Sequence, residues 1–286
     1  MSFFAVIDIA EMLKYLLLGI IQGITEVLPI SSSGHVELAK LLLHLQVDEG
    51  VLFLILVNSG SLVVFLVYFA QDLFRLIRSF FLFILRPQTR NEHRENFHFC
   101  LKIVVASIPA ALVGLLLSDW FDEMLLRYGG LLSGIGLMFT ATVLLTSGFR
   151  GFSRRNDIIS YRDALFIGLC QGIAPVPGVS RSGMTMIGSL HRGVKLESSL
   201  RFAFMLYIPA SAGAMLLYVK KMFSEGTGLP SSEYLLYYAV AFLAALLFTA
   251  LAFRWIRPIF RNGRLKYFGY YCMAAGLVSI ALFLMK

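Results

Sequence analysis

The chain has 286 residues, of which 58% are hydrophobic and only 15% are charged, and its mean hydropathy is +0.78. Soluble domains carry about a quarter charged residues, so these numbers exclude an ordinary soluble fold as well as a disordered chain, a coiled coil and a disulfide-rich scaffold. The net charge of +8 does not require a nucleic-acid partner, because basic loops on one side of a membrane account for it.

The long apolar stretches predict an all-α polytopic membrane protein. They run for about 20 residues without alternation, whereas the strands of a transmembrane barrel alternate over about 10 residues. Six stretches are long enough to be full transmembrane helices: 51–70, 98–118, 129–149, 200–219, 234–256 and 265–285. The stretch 71–88 is basic and apolar at helical spacing, which predicts an interfacial helix rather than a seventh span.

Two further apolar stretches, 12–46 and 164–191, are interrupted by polar residues and by runs of Pro, Gly and Ser. Each flank of an interruption is shorter than a full span, and these residue types favour turns. We therefore predict two re-entrant helical hairpins, which a bilayer tolerates only where protein buries the irregular backbone.

The two interruptions resemble each other. They read QGITEVLPISSSG from residue 22 and QGIAPVPGVSRSG from residue 171, with seven of thirteen positions identical at an offset of 149 residues. This similarity indicates an internal duplication. One repeat, residues 1–149, contains the hairpin 12–46 and three transmembrane helices; the other, residues 150–286, contains the hairpin 164–191 and three more.

Three crossings are an odd number, so the second repeat has to be inverted in the membrane. The two hairpins then enter from opposite faces and their tips meet near the midplane, within one integrated membrane domain. This inverted-topology repeat is the plan of transporters that bind their substrate between broken helices.

Loop charges predict the orientation. Basic residues are concentrated in 75–94, 150–162, 192–195 and 257–264, and the positive-inside rule makes that side cytoplasmic. The first hairpin then enters from the outside. The three cysteines all lie in apolar segments, so no disulfide framework is expected, and the N-terminus lacks the basic region and cleavage site of a removable signal peptide.

Glu26 lies in an apolar half-helix, where an ionised carboxylate costs about 2.5–3.5 kcal/mol on insertion scales. Gln22 is four residues earlier and shares its helix face. One interpretation is a polar pair that joins helices. The hairpin tip follows within about a turn, which favours a functional role.

The first predicted tip carries three serines, a glycine and a histidine: Ser31, Ser32, Ser33, Gly34 and His35. A helix that begins near this point directs free N–H groups at the tip and forms an anion site. A serine beside a histidine also supplies a nucleophile and a base, in either assignment. The alternatives are N-capping by a serine and a packing role for the histidine.

The second predicted tip carries Ser180, Arg181, Ser182, Gly183 and Thr185. Arg181 lies far from either end of a span, where an unpaired guanidinium is unfavourable. Its planar fork suits phosphate, and the neighbouring hydroxyl and N–H groups complete an anion nest. The alternative is a purely structural salt bridge from Arg181 to Glu26.

From the residues alone, we expect an intramembrane anion site that suits a phosphate ester on a lipid. The head group needs the polar tips, while the tail can stay in the bilayer. A polar break, Asn58–Ser61, interrupts the span 51–70. It either lines the site or allows close helix packing.

These motifs resemble the undecaprenyl-diphosphate phosphatase family of bacterial membranes, which is associated with bacitracin resistance. The first motif is Gln22-Gly23-Ile24-Thr25-Glu26 followed by the serines and His35. The second, Pro177–Thr185, matches the family pattern PGxSRSxxT completely. Length and span layout agree as well, so the resemblance covers nearly the whole chain.

The resemblance implies hydrolysis of a polyprenyl diphosphate, undecaprenyl diphosphate, to the monophosphate, which recycles the lipid carrier for cell-wall synthesis. It implies a multi-pass protein of the bacterial cytoplasmic (inner) membrane with its active site facing the outer side. It also implies a divalent cation, Mg²⁺ or Ca²⁺, and is compatible with a homodimer.

Residue by residue, Ser32 matches the family's nucleophile and His35 its base or alternative nucleophile. Arg181 matches the diphosphate clamp, and Glu26 matches an acidic position that serves the metal or a proton transfer. Many members have Glu where this chain has Gln22, which leaves one carboxylate fewer for the metal. The other polar residues of the tips are expected to bind substrate: Gln22, Ser31, Ser33, Ser180, Ser182, Gly183 and Thr185.

Two other functions fit parts of the pattern. A transporter or flippase for a phosphorylated lipid or anion uses the same inverted-repeat plan, and fold alone does not settle function. Ser32 and His35 favour hydrolysis, because anion binding does not need them. A non-catalytic scaffold is disfavoured by Glu26 and Arg181, because neither aids lipid-facing packing.

Overall fold

A computed structural model describes residues 8–45, 51–147, 156–224, 232–261 and 265–285. Nearly all of these residues are helical. The helices are α1 (Ile9–Val27), α2 (Ser32–Leu42), α3 (Val51–Tyr68), α4 (Ala70–Leu85), α5 (Arg90–Ser147), α6 (Tyr161–Gln171), α7 (Arg181–His191), α8 (Leu196–Ser224), α9 (Ser232–Arg261) and α10 (Leu265–Leu284).

Within these ranges, six helical segments are long and apolar enough to cross a membrane. They are Val51–Tyr68, Pro87–Phe121, Glu123–Thr146, Leu196–Ser224, Glu233–Trp255 and Leu265–Leu284. They fall at the six stretches expected from the sequence, so the prediction of an all-α polytopic membrane protein is confirmed. Their outward faces are rich in exposed apolar side chains such as Leu115 and Leu116, which suit contact with lipid.

The predicted spans 98–118 and 129–149 both lie in α5, which consists of two helices that meet at a kink without a loop between them. The connecting residues contain no Gly or Pro, and Glu123 pairs with Arg127 at i,i+4, so the helix continues. It kinks at Tyr128, where φ is −131° and ψ is 23°, directly before two glycines.

The predicted interfacial stretch 71–88 forms α4, which is not among the six candidate spans of the described chain. A hydrogen bond of 3.0 Å from Asn96 Nδ2 to Ser79 Oγ fixes it to α5. Its other face exposes Phe74, Phe81 and Leu85, as expected of a helix that lies in a membrane surface.

The first flank of the first break is longer than the sequence analysis expects. The carboxylate of Asp8 caps α1 by accepting a hydrogen bond from Ala10 N at 2.9 Å, and the helix then runs for 19 residues. Glycines let α1 approach α9 closely. A Cβ at Gly23 would lie 2.6 Å from Ala245 O, so this face of α1 is packed on backbone rather than on side chains.

Helices α2 and α7 each have 11 residues, and their first residues, Ser32 and Arg181, are 149 positions apart in the chain. The two helices therefore begin at the same spacing, 149 residues, as the two repeated sequence motifs. The proposed boundary between the repeats, at residues 149 and 150, lies outside the described residues, and so do the basic residues of 150–155. The division into two repeats stays a prediction.

Candidate active site

The first helix break separates α1 from α2 and is closed by Ser31. This residue has a φ of +70°, and its Oγ accepts a hydrogen bond from Gly34 N at 3.3 Å. The serine therefore caps α2, as one of the sequence alternatives expects. Neighbouring Val27 and Ile30 are buried in an apolar cluster that holds the break in place.

The second break separates α6 from α7 and repeats this local structure. Ser180 Oγ caps α7 by accepting from Gly183 N at 3.1 Å. Thr140 of α5 fixes the turn, because its hydroxyl donates to Gly178 O at 3.1 Å and accepts from Ser180 N at 3.0 Å. The two capping serines, Ser31 and Ser180, are themselves 149 residues apart.

The two breaks contact each other. Ser182 Oγ of the second break donates to Leu28 O of the first at 3.2 Å. A Cβ at Gly34 would lie 2.9 Å from the Cα of Gly178, closer than real side chains approach, so the backbones meet where neither residue has a side chain. The N-terminal ends of α2 and α7 therefore share one polar centre.

Glu26 is the acidic residue of this centre. Ser32 Oγ donates to Glu26 Oε2 at 2.5 Å, and Gln22 Nε2 donates to the same oxygen at 2.8 Å. Gln22 also donates to Asn58 Oδ1 at 3.1 Å, which places Asn58 of α3 in the network. Hydrogen bonds to a carboxylate are the strong kind, and a carboxylate bonded to a hydroxyl is positioned to accept its proton.

His35 is buried and does not contact this network by hydrogen bond. Its Nδ1 donates to Ser31 O at 2.7 Å, and its Nε2 lies 3.0 Å from Tyr271 Oη. The two rings stack with centroids 5.3 Å apart. Because both ring nitrogens are engaged, the histidine is held in one orientation, and its role as base or nucleophile toward Ser32 stays a prediction.

Arg181 begins α7 with its guanidinium next to α8. Its Nη1 donates to Ser211 Oγ at 2.6 Å, and its guanidinium carbon lies 5.3 Å from the centre of the Tyr207 ring. Across the described residues, no carboxylate forms an ion pair with it, so the purely structural salt bridge to Glu26 is not formed. Its positive charge is available to an anion.

The remaining hydroxyl groups divide into two kinds. Ser31 and Ser33 form a pair 3.3 Å apart at the first break, and Ser180 and Ser182 form an equivalent pair 3.4 Å apart at the second. Thr185, by contrast, bonds to the backbone of its own helix, donating to Arg181 O at 3.0 Å. Four of the five hydroxyls therefore lie at the breaks themselves.

Three residues of this centre are absent from the sequence analysis: Tyr207, Ser211 and Tyr271. Tyr207 had a signal, because it follows Asn58 by the repeat offset of 149 residues. For Asn58, the sequence is compatible with lining the site or with helix packing, and the hydrogen bond that it accepts from Gln22 favours the first. Nothing in the sequence marks Ser211 or Tyr271.

The residues present fit one kind of metal better than another. The described chain holds no group of three or more His, Cys, Asp or Glu side chains that could bind an ion. Mg²⁺ is often held by one or two carboxylates together with substrate phosphates, so Glu26 fits a cation that binds with a diphosphate. Ca²⁺ takes about six to eight oxygen ligands, so most of them would have to come from hydroxyl and carbonyl groups, water and the substrate.

The fold and this centre define a class of protein: a polytopic helical membrane protein with an anion-suited polar site where two helix breaks meet. The family model described as bacitracin resistance protein BacA matches residues 15–278. The chain therefore belongs to the BacA family, which confirms the resemblance inferred from its motifs.

Curated relatives that match this chain along most of its length are named undecaprenyl-diphosphatases. A Bacillus anthracis protein named undecaprenyl-diphosphatase 3 is 41% identical over 272 residues, 94% of this chain and 96% of its own length. An undecaprenyl-diphosphatase of Oceanobacillus iheyensis is 36% identical over 267 residues, 93% of this chain and 94% of its own. Undecaprenyl-diphosphatase 1 of Halalkalibacterium halodurans is 32% identical over 272 residues, 95% of this chain and 96% of its own.

Proposed function

We propose that the protein hydrolyses undecaprenyl diphosphate to undecaprenyl phosphate and inorganic phosphate at the two helix breaks. The observation that carries this proposal is the hydrogen bond from the Ser32 hydroxyl to Glu26, in the same cluster as Arg181, which has no ion pair among the described residues. Tyr207 links the two parts, because it neighbours both Glu26 and Arg181. The names of the relatives supply the substrate.

In the proposed first step, Ser32 Oγ bonds to the terminal phosphorus while the bond from that phosphorus to the bridging oxygen breaks. The serine proton passes to Glu26, and undecaprenyl phosphate leaves. Water then attacks the phosphoserine, Glu26 returns the serine proton to Ser32 Oγ as the bond from Oγ to phosphorus breaks, and inorganic phosphate leaves with the hydrogens of the water. The hydrogen bond from Ser32 to Glu26 supports Glu26 as the base, whereas His35 keeps the Ser31 turn in place through its bond to the Ser31 carbonyl.

The charge of the diphosphate is balanced by fixed groups. Arg181 is suited to bind its oxygens through the guanidinium fork, and the free N–H groups of the first turns of α2 and α7 point at the same centre. Catalysis of phosphoryl transfer depends mostly on such positioning and charge stabilisation. A divalent cation, with Mg²⁺ favoured, would be held by Glu26 and would neutralise further phosphate charge when bound.

We propose the finer architecture on the same evidence. The breaks at the ends of α1 and α6 are the tips of re-entrant hairpins, and the two halves form an inverted repeat. The equal lengths of α2 and α7, their equal serine caps and the contact between the breaks support this. The protein then lies in the bacterial cytoplasmic membrane, with the basic ends inside and the active site open to the outer face.

Impermeant thiol reagents test this orientation on intact cells. In a variant without native cysteines, Arg127→Cys is expected to react from outside, and Arg192→Cys only after the membrane is opened. The reverse pattern would refute the orientation. A homodimer stays a prediction, which the mass of the purified protein in detergent tests.

The decisive assay is phosphate release from a C55 or C15 prenyl diphosphate by purified protein, with and without EDTA. Wild type is expected to release phosphate, and Arg181→Ala to lose at least about a hundredfold of that rate because a charged contact to the diphosphate is lost. Arg192→Ala is the matched control, since Arg192 closes the other end of α7 and pairs with Asp163. Binding without hydrolysis by folded wild type would favour a transporter instead.

Trapping of the phospho-enzyme separates the two nucleophile assignments. Radiolabel from the terminal phosphate is expected on wild type and not on Ser32→Ala. Label on Ser32→Ala would refute the serine route and return His35 to the role of nucleophile.

A further inference from the structure

The hydroxyl of Tyr207 is a buried donor without a partner. The residue is 5% exposed, and its Oη makes no hydrogen bond in the described structure. A buried polar group left unpaired is unfavourable, and nearly all such groups in native proteins are bonded to protein or water. Tyr207 therefore has a vacant donor that a ligand or an ordered water can satisfy.

The ring of Tyr207 is held in place by two neighbouring side chains. It stacks on Phe65 of α3 with centroids 3.9 Å apart, and the guanidinium of Arg181 lies over its face at 5.3 Å. An aromatic ring held in this way has little freedom to turn its hydroxyl elsewhere. The position of Oη is thus set by packing and not by a hydrogen bond.

The neighbours of this hydroxyl belong to the proposed active site. Glu26, Arg181 and Ser211 all lie close to it, although none has the geometry of a hydrogen bond to Oη. Arg181 and Glu26 are not paired with each other, so Oη lies beside a cation and a carboxylate that both have roles in the proposed reaction.

We infer that the Tyr207 hydroxyl donates a hydrogen bond to a phosphoryl oxygen of the bound diphosphate. This inference rests on the proposed function and adds to it a substrate-binding residue from α8. Tyr207 occupies the repeat position of Asn58, which supports Gln22 and Glu26 in the first half. In the second half, the equivalent position contributes directly to the substrate.

The test is Tyr207→Phe, which keeps the ring, the stack on Phe65 and the contact with Arg181. A hydrogen bond to a charged group contributes enough that kcat/KM is expected to fall about 10- to 100-fold. The melting temperature is expected to stay equal or rise, because the variant removes an unpaired buried donor. Tyr237→Phe is the matched control, since its hydroxyl accepts from Asp8 N far along α1 and its loss leaves activity unchanged.

A second measurement keeps the inference separate from the proposed reaction. Calorimetric titration with inorganic pyrophosphate is expected to show binding to wild type and at least tenfold weaker binding to Tyr207→Phe. A wild type that binds pyrophosphate but releases no phosphate from a prenyl diphosphate would refute the proposed hydrolysis and still test Tyr207. Equal binding and equal kcat/KM in the two proteins, a fall in melting temperature that parallels the lost activity, or no binding to wild type would each overturn the inference.

Discussion

Replacing Glu26 by Gln tests which side chain takes the proton of Ser32. Glu26 Oε2 is the acceptor of the Ser32 hydroxyl at 2.5 Å. A glutamine of the same length offers a carbonyl oxygen to that hydroxyl, so the resting geometry is retained. An amide cannot act as a base at neutral pH, so the variant removes the proton transfer. Excess Mg²⁺ in the assay compensates for the weaker ligand that the amide offers to the proposed cation.

The expected loss is the contribution of a general base, about 10²- to 10⁴-fold in kcat, or about 2.7–5.5 kcal/mol at 1.36 kcal/mol per tenfold. KM is expected to change little, because Arg181 and the helix ends remain. His35→Gln should behave differently. Its two bonds, to Ser31 O and to Tyr271, are worth about 1 kcal/mol each, so the loss appears chiefly as lower thermal stability.

Single-turnover phosphate release from a prenyl diphosphate in detergent measures both variants, with the melting temperature recorded in parallel. If Glu26→Gln stays within tenfold of wild type while a folded His35→Gln loses more than a hundredfold, the assignment of Glu26 as base is wrong. The histidine would then have to leave Tyr271 during the reaction.

Three further substitutions and one depletion extend these expectations. Gly178→Ala adds a Cβ at a φ of +85° against an α5 carbonyl and should lower the melting temperature and the activity together, whereas Gly213→Ala, in open space, should change neither. Ser211→Ala removes the partner of the guanidinium at 2.6 Å and should raise KM more than it lowers kcat; an unchanged KM would contradict this. Burial raises the pKa of Asp163, but hydrogen bonds from Ser160 and Arg192 outweigh this effect and hold the pKa below 3.8. The resulting stabilisation is present above pH 3.8 and should disappear as the pH falls through the folded pKa. Asp163→Asn should lower the free energy of unfolding by about 1–2 kcal/mol at neutral pH and should not lose this stabilisation in acid. EDTA should abolish phosphate release and Mg²⁺ should restore it; full activity after chelation would refute the cation requirement.

The spans were predictable because their signal is redundant. Each needs only about 20 apolar residues, and a few substitutions do not erase that pattern. The lengths of the connections were not. Residues 119–127 carry no helix-breaking residue, so the first helix of α5 continues to the kink at Tyr128, where it meets the second without a loop.

The site was predictable in its residues and less so in its pairings. Motif spacing placed Glu26, Ser32 and Arg181 near two turns, and the structure brings those turns into contact. The acceptor of the Ser32 hydroxyl depends on the direction of side chains at the start of α2. His35 lies four residues, about one helical turn, after Ser31, and its ring bonds back to the Ser31 carbonyl instead of to Ser32. Tyr207 and Tyr271 come from distant helices, and the sequence does not encode such contacts locally.

The matched beginnings of α2 and α7 have an electrostatic consequence. The macrodipole of a helix places about half a positive elementary charge at its N-terminus, so two such ends at one centre supply about one unit of charge from backbone alone. That charge has no pKa and belongs to no side chain. An anion in this centre would therefore retain part of its attraction at any pH and in any single-residue variant, Arg181→Ala included.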